Sequence, residues 1–134
     1  MRDIMNEMQA ALDEKNWALV TLFVSNSYRI NPNANYKGYK TALFYAAEAG
    51  NKVVTKYLID QGGFTNHSDI NDVSPLMAAA SGGHLDVVKC LVEHRAQLKL
   101  KDLQGKTALM YATEGGHVEV VKYLEKALAG SPYY

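Results

Sequence analysis

Cysteine occurs once in the 134 residues, as Cys90. An internal disulfide framework is therefore excluded, and the composition fits a reducing compartment. Neither charge sign is in excess. Lys plus Arg and Asp plus Glu each total 14, giving a formal net charge of zero and no long-range pull toward nucleic acid or anionic lipid. Long apolar runs are missing as well. An uncharged stretch over residues 17–28 carries Thr21, Ser25, Asn26 and Ser27 and is too short and too polar to cross a bilayer. The first ten residues include Arg2, Asp3 and Glu7 and no apolar core of signal-peptide length, which argues against secretion. Together these absences point to an intracellular, cytoplasmic setting.

The signs of catalysis are equally sparse. The four histidines, His67, His84, His94 and His117, and one cysteine do not offer the spacing of a structural zinc site. Dinucleotide-binding, phosphate-loop and nucleophile-elbow glycine motifs are missing. The Gly62-Gly63, Gly82-Gly83 and Gly115-Gly116 pairs lack the strand-to-helix context of a phosphate loop. No enzyme activity, cofactor or metal is expected.

What the chain does contain is an internal repeat. Thr41-Ala-Leu-Phe-Tyr-Ala-Ala returns as Ser74-Pro-Leu-Met-Ala-Ala-Ala and again as Thr107-Ala-Leu-Met-Tyr-Ala-Thr, each step being 33 residues. The same step relates Val54, Val87 and Val120, then Leu58, Leu91 and Leu124, then Lys56, Lys89 and Lys122. Within a unit the apolar period is helical. Leu76, Ala79 and Ala80 form the stripe of a short first helix, and Val87, Val88, Leu91 and Val92 that of a second. Thr41, Ser74 and Thr107 are good N-caps, with Pro75 suited to a first helical position. Gly50, Gly83 and Gly116 end the first helices, and Gly62 ends a second helix. Arg95 stands at the place of Gly62, where a left-handed backbone would cost about 1 kcal/mol. Cys90, between Val88 and Leu91, reads as a packing residue.

Between helix pairs lie Tyr36-Lys-Gly38, Asp69-Ile-Asn-Asp72-Val73 and Asp102-Leu-Gln-Gly105-Lys106, the residue types of short hairpin-like turns. Successive turns should line one edge, held in fixed relation by the helices while their tips vary. The units are expected at residues 3–35, 36–68, 69–101 and 102–129, with 130–134 a tail carrying Tyr133 and Tyr134. The first unit is atypical. Setting Leu19, Val20, Phe23 and Val24 against Val53, Val54, Tyr57 and Leu58 gives an offset of 34. Met5, Met8, Ala11 and Leu12 would then form its first helix, and Trp17 would fall near the place of Asn51. In the last unit Glu125 and Lys126 follow the apolar stripe, as an outer cap requires.

The Thr/Ser-Pro/Ala-Leu opening, the Gly-His pairs Gly83-His84 and Gly116-His117, and the paired branched residues that follow resemble the ankyrin repeat family. The likeness covers residues 36–128 strongly and 3–31 weakly. It implies an all-α solenoid of about four stacked antiparallel helix pairs joined by hairpin-like loops. The family's histidine after leucine is replaced by Phe44, Met77 and Met110, which would contribute packing instead. The resemblance further implies a non-enzymatic module that binds another protein through a concave surface of hairpins and first helices. Carried over unit by unit, the contact candidates are Tyr36, Lys37, Tyr39 and Lys40 with Glu48. Next come Ser68, Ile70, Asn71 and Val73 with Ser81, then Lys101, Leu103, Gln104 and Lys106 with Glu114. Tyr39, standing where later units have Asp72 and Gly105, is the most pointed departure; Tyr36 and Tyr39 could instead shield the junction with the first unit. A different reading makes the array a structural spacer or a self-associating fragment.

Overall fold

The computed structural model describes residues 3–25 and 28–130; Tyr133 and Tyr134 lie outside the described residues. Among the described residues eight α-helices form four antiparallel pairs: α1 (Ile4–Asp13) with α2 (Trp17–Val24), α3 (Ala42–Glu48) with α4 (Lys52–Asp60), α5 (Pro75–Ser81) with α6 (Leu85–Glu93), and α7 (Ala108–Glu114) with α8 (Val118–Gly130). The described residues contain no strand. First helices pack on first helices and second on second, so two helical layers run along the stack. At seven residues, α3, α5 and α7 are too short to persist alone and depend on this packing.

Local signals set the helix ends. The hydroxyls of Thr41, Ser74 and Thr107 accept from the backbone N–H groups of Phe44, Met77 and Met110 at 3.2, 3.2 and 3.3 Å. At the other end Gly50, Gly83 and Gly116 take φ of 76°, 70° and 70°. That left-handed step lets Asn51, His84 and His117 donate back to the carbonyls of Ala46, Ala79 and Ala112 at 2.9, 3.0 and 3.0 Å. Lys15, φ 56°, makes the same stop in the first unit, and Asn16 donates to Ala11 at 2.8 Å.

This bond corrects the register of the first unit. Asn16, not Trp17, corresponds to Asn51, so the offset over α1 and α2 is 35 rather than 34. The two extra residues lie between Phe23 and Ile30, which are joined by the bond that links Leu58 to Gly63 and Leu91 to Ala96 elsewhere. Beyond them the 33-residue register is restored: Asn33 and Asn66 accept from the N–H groups of Phe64 and Gln97, both at 2.7 Å. Arg95 does adopt the left-handed backbone, φ 67°, as does Arg29 at 55°.

Met8, Leu12, Val20, Leu43, Leu58, Leu76, Val87, Val88, Leu91 and Leu124 are buried along the centre. Met5 is exposed, so the apolar stripe of α1 is Met8, Ala11 and Leu12 without it. Phe44 and Met77 are buried as expected, but Met110 is 47% exposed. The faces of α3 and α5 that carry the first two are covered by the following first helix, and among the described residues none follows α7. Cys90 is buried in α6, and burial first, then Glu93, pushes its thiol up, as befits a packing residue.

Candidate protein-binding face

The hairpins are built around aspartates. Asp69 Oδ1 accepts from the N–H groups of Asn71 and Val73, both at 2.9 Å, and Asp102 Oδ1 accepts from Gln104 and Lys106, both at 2.9 Å. Each loop is closed by the aspartate N–H donating to the carbonyl of Val73 or Lys106, at 2.9 and 3.0 Å. A short 3-10 turn, Lys37–Tyr39, takes this place in the second unit and closes through Tyr36 N–H to Lys40 at 2.8 Å. Tyr36 cannot supply the acceptor that the aspartates do. The loop is instead tied to α1, where Gln9 Oε1 accepts from Lys37 N–H at 2.9 Å and Asp13 pairs with Lys37 at 3.2 Å.

Neighbouring hairpins are locked to each other through the main chain. Ile70 N–H donates to the Gly38 carbonyl at 2.8 Å, and Leu103 N–H to that of Asn71 at 3.0 Å. With the backbone so committed, the tip side chains project: Tyr39, Ile70 and Leu103 are 58%, 59% and 68% exposed. The two tyrosines weighed from the sequence thus separate. Tyr36 packs against the core with a buried hydroxyl that has no partner among the described residues, and burial raises it to about 12. Tyr39 is open to solvent in a left-handed conformation, φ 62°.

Behind the tips, the first helices carry two matching sets of charges. Lys40 pairs with Glu48 at 3.7 Å and Lys106 with Glu114 at 3.1 Å. The ammonium of Lys40 lies 5.6 Å from the Tyr45 ring centroid, as well as 5.1 Å from that of Phe44, and that of Lys106 lies 5.5 Å from the equivalent Tyr111. The unit between them has Val73, Ala78 and Ser81 at these places, and the short side chains leave a groove of about 360 Å³. Lys40, Glu48, Val73 and Ser81, all named from the sequence, line it. Phe44 and Met77, expected only to pack, and Asp69, expected only to turn the chain, line it too, as do Ala78 and Tyr111. Ser68 and Lys101 precede the hairpin aspartates and do not reach the groove.

Tyr111 donates its hydroxyl to Asp102 Oδ2 in a close hydrogen bond. That bond is the main cause of the lowering of the Asp102 carboxyl and the raising of the Tyr111 phenol to about 12. The repeated histidines connect units rather than cap their own helices. His84 Nε2 donates to the Glu48 carbonyl at 3.1 Å, and His117 Nε2 to that of Ser81 at 2.9 Å, each reaching the end of the preceding first helix. His94 is turned onto its own helix, Nδ1 donating to the Cys90 carbonyl at 2.7 Å. Among the described residues no group of three or more His, Cys, Asp or Glu is placed to hold a metal ion.

A family model described as ankyrin repeats (3 copies) matches residues 8–102 and, in a second overlapping placement, 63–130. The chain belongs to the ankyrin repeat family. Ankyrin repeats are generally protein–protein interaction modules, and the family is typically non-enzymatic. A search of curated proteins finds no match to this chain. No helix of the described residues is long and apolar enough to cross a membrane.

Proposed function

We propose that this ankyrin-repeat chain is a non-enzymatic binding module that holds another protein on a concave surface formed by its hairpins and first helices. The observation that carries the reading is the exposure of Tyr39, Ile70 and Leu103 on hairpins whose backbones are hydrogen-bonded to one another. Large apolar side chains displayed on a rigid frame lose little conformational freedom when a partner covers them, which favours binding. The contact set extends from these tips through Lys37, Asn71 and Gln104 to the Lys40–Glu48 and Lys106–Glu114 pairs, giving an apolar centre with a polar rim.

The test is affinity capture from the native source with the intact chain and with a Tyr39→Ser, Ile70→Ser, Leu103→Ser variant whose helicity matches by circular dichroism. Partners retained equally by the folded variant would remove the hairpin edge from the reading.

A second reading, self-association, is favoured by one feature of the opposite layer. Ala18, Thr21, Leu22, Val53 and Tyr57 border an apolar groove of about 400 Å³ between α2 and α4, and Val53 is 79% exposed. Sedimentation equilibrium of the chain and of a Leu22→Glu, Val53→Glu variant separates the two readings, since only a self-associating chain would change mass with concentration and lose that behaviour in the variant.

A further inference from the structure

Building on the protein-binding reading, we propose that the groove over Ala78 receives a tyrosine side chain from the partner protein, its hydroxyl donating to Asp69 as Tyr111 donates to Asp102 one unit further on. Positions 45, 78 and 111 are equivalent at the 33-residue step and hold Tyr45, Ala78 and Tyr111. Positions 69 and 102 are equivalent and both hold aspartate. The last unit shows the complete arrangement: Asp102 Oδ1 takes two backbone N–H groups, and Oδ2 takes the phenol of Tyr111.

The middle unit shows the same arrangement with one component missing. Asp69 Oδ1 takes the same two backbone bonds at the same 2.9 Å, but no described residue donates to Oδ2. The residue is only 9% exposed and lines the groove beside Ala78. A carboxylate in that position gains more from a hydrogen-bond donor than one in open solvent. Val73 and the Ala78 methyl supply apolar contact for an aromatic ring, over a floor that the buried Phe44 and Met77 fill from beneath.

A phenol is the donor for which the fold itself holds a precedent. Lys40 and Glu48 on the groove wall are already paired with each other at 3.7 Å, and the Tyr111–Asp102 pair one unit further on demonstrates that this backbone geometry accommodates a phenol.

The experiment is an amide NMR titration of the intact chain with N-acetyl-tyrosinamide and, separately, N-acetyl-phenylalaninamide. The tyrosine compound is expected to perturb Asp69, Val73, Ala78 and Ser81 and to bind on the order of tenfold more tightly than the phenylalanine compound, the share of one hydrogen bond to a charged group. Asp69→Asn, which keeps an Oδ1 acceptor for the turn but replaces Oδ2 by an NH2 group, should erase that difference without loss of helicity. Ala78→Tyr, which supplies the phenol from within, should abolish binding and raise the melting temperature. Equal binding of both compounds, no perturbation at the groove, or unchanged binding in Ala78→Tyr would overturn the proposal. Partner capture distinguishes this from failure of the wider reading: if the hairpin variant loses the partner while Ala78→Tyr retains it, the binding face stands and the tyrosine groove does not.

Discussion

Arg95 carries a side chain through a left-handed turn at which the equivalent Gly62 carries none. Replacing it by glycine should stabilise the chain by about 0.5–1 kcal/mol, the relief of the left-handed penalty less the added freedom of the unfolded glycine, read from urea denaturation midpoints. Gly83 is the opposite case. A Cβ there would lie 2.4 Å from the His117 ring while φ stayed at 70°, so Gly83→Ala should cost about 2 kcal/mol or more in the same assay. Tyr111 sets a pH dependence. Its folded value of about 12 lies above the ordinary 10.0, so its contribution is complete below pH 10 and is lost as the pH rises toward 12. Asp102 acts at the other end: its lowered carboxyl favours the folded state above the ordinary 3.8, and this is lost as the pH falls below it. Stability of Tyr111→Phe should therefore fall less than that of the parent between pH 10 and 12, the remaining alkaline loss coming from Tyr36, also at about 12, and from Tyr123 and Cys90, which burial and Glu93 also raise.

Between helices, the difference is in how closely they approach. The alanines of α3 and α5 let successive first helices draw together, whereas α1, with Met8 and Leu12 inward, stands further from α3 and is joined to it partly through Gln9, which bonds Tyr45 Oη at 3.1 Å. Hydrogen exchange should accordingly be fastest in α1 and α2 and slowest in α5. Equal protection along the chain would show that the first unit is docked as firmly as the rest. What could be read from sequence follows the same division. Caps and glycine stops in the later units were legible because each depends on a few adjacent residues. The first unit was misregistered by one residue because Lys15 stands where a glycine would mark the stop, and its two extra residues lie between Phe23 and Ile30, where no landmark precedes Asn33. Met110 differs from Phe44 and Met77 for a reason outside its own unit, namely whether another helix follows. The groove is encoded by Tyr45, Ala78 and Tyr111 at one repeat position and Asp69 and Asp102 at another, but only the fold brings the two positions side by side.

At the scale of the whole molecule, contacts run between neighbouring units, so the stack should tolerate loss of an internal one. Joining residue 68 directly to residue 102 would bring Leu103 N–H to the Gly38 carbonyl that Ile70 now uses and place Tyr111 over the second unit. Such a chain should remain helical by circular dichroism, with a denaturant slope reduced by roughly a quarter in keeping with the surface removed, and should no longer bind N-acetyl-tyrosinamide. The hairpin-to-hairpin bonds have a mechanical consequence. They tie adjacent units backbone to backbone along one edge, while the second helices on the far side meet through side chains, Tyr57 donating to the Thr21 carbonyl at 3.3 Å among them. A stack built in this way resists stretching at the hairpin edge and yields more readily at the other. Bending of such a stack should be taken up in the layer of second helices, like the outer leaf of a spring, while the hairpin residues keep their spacing.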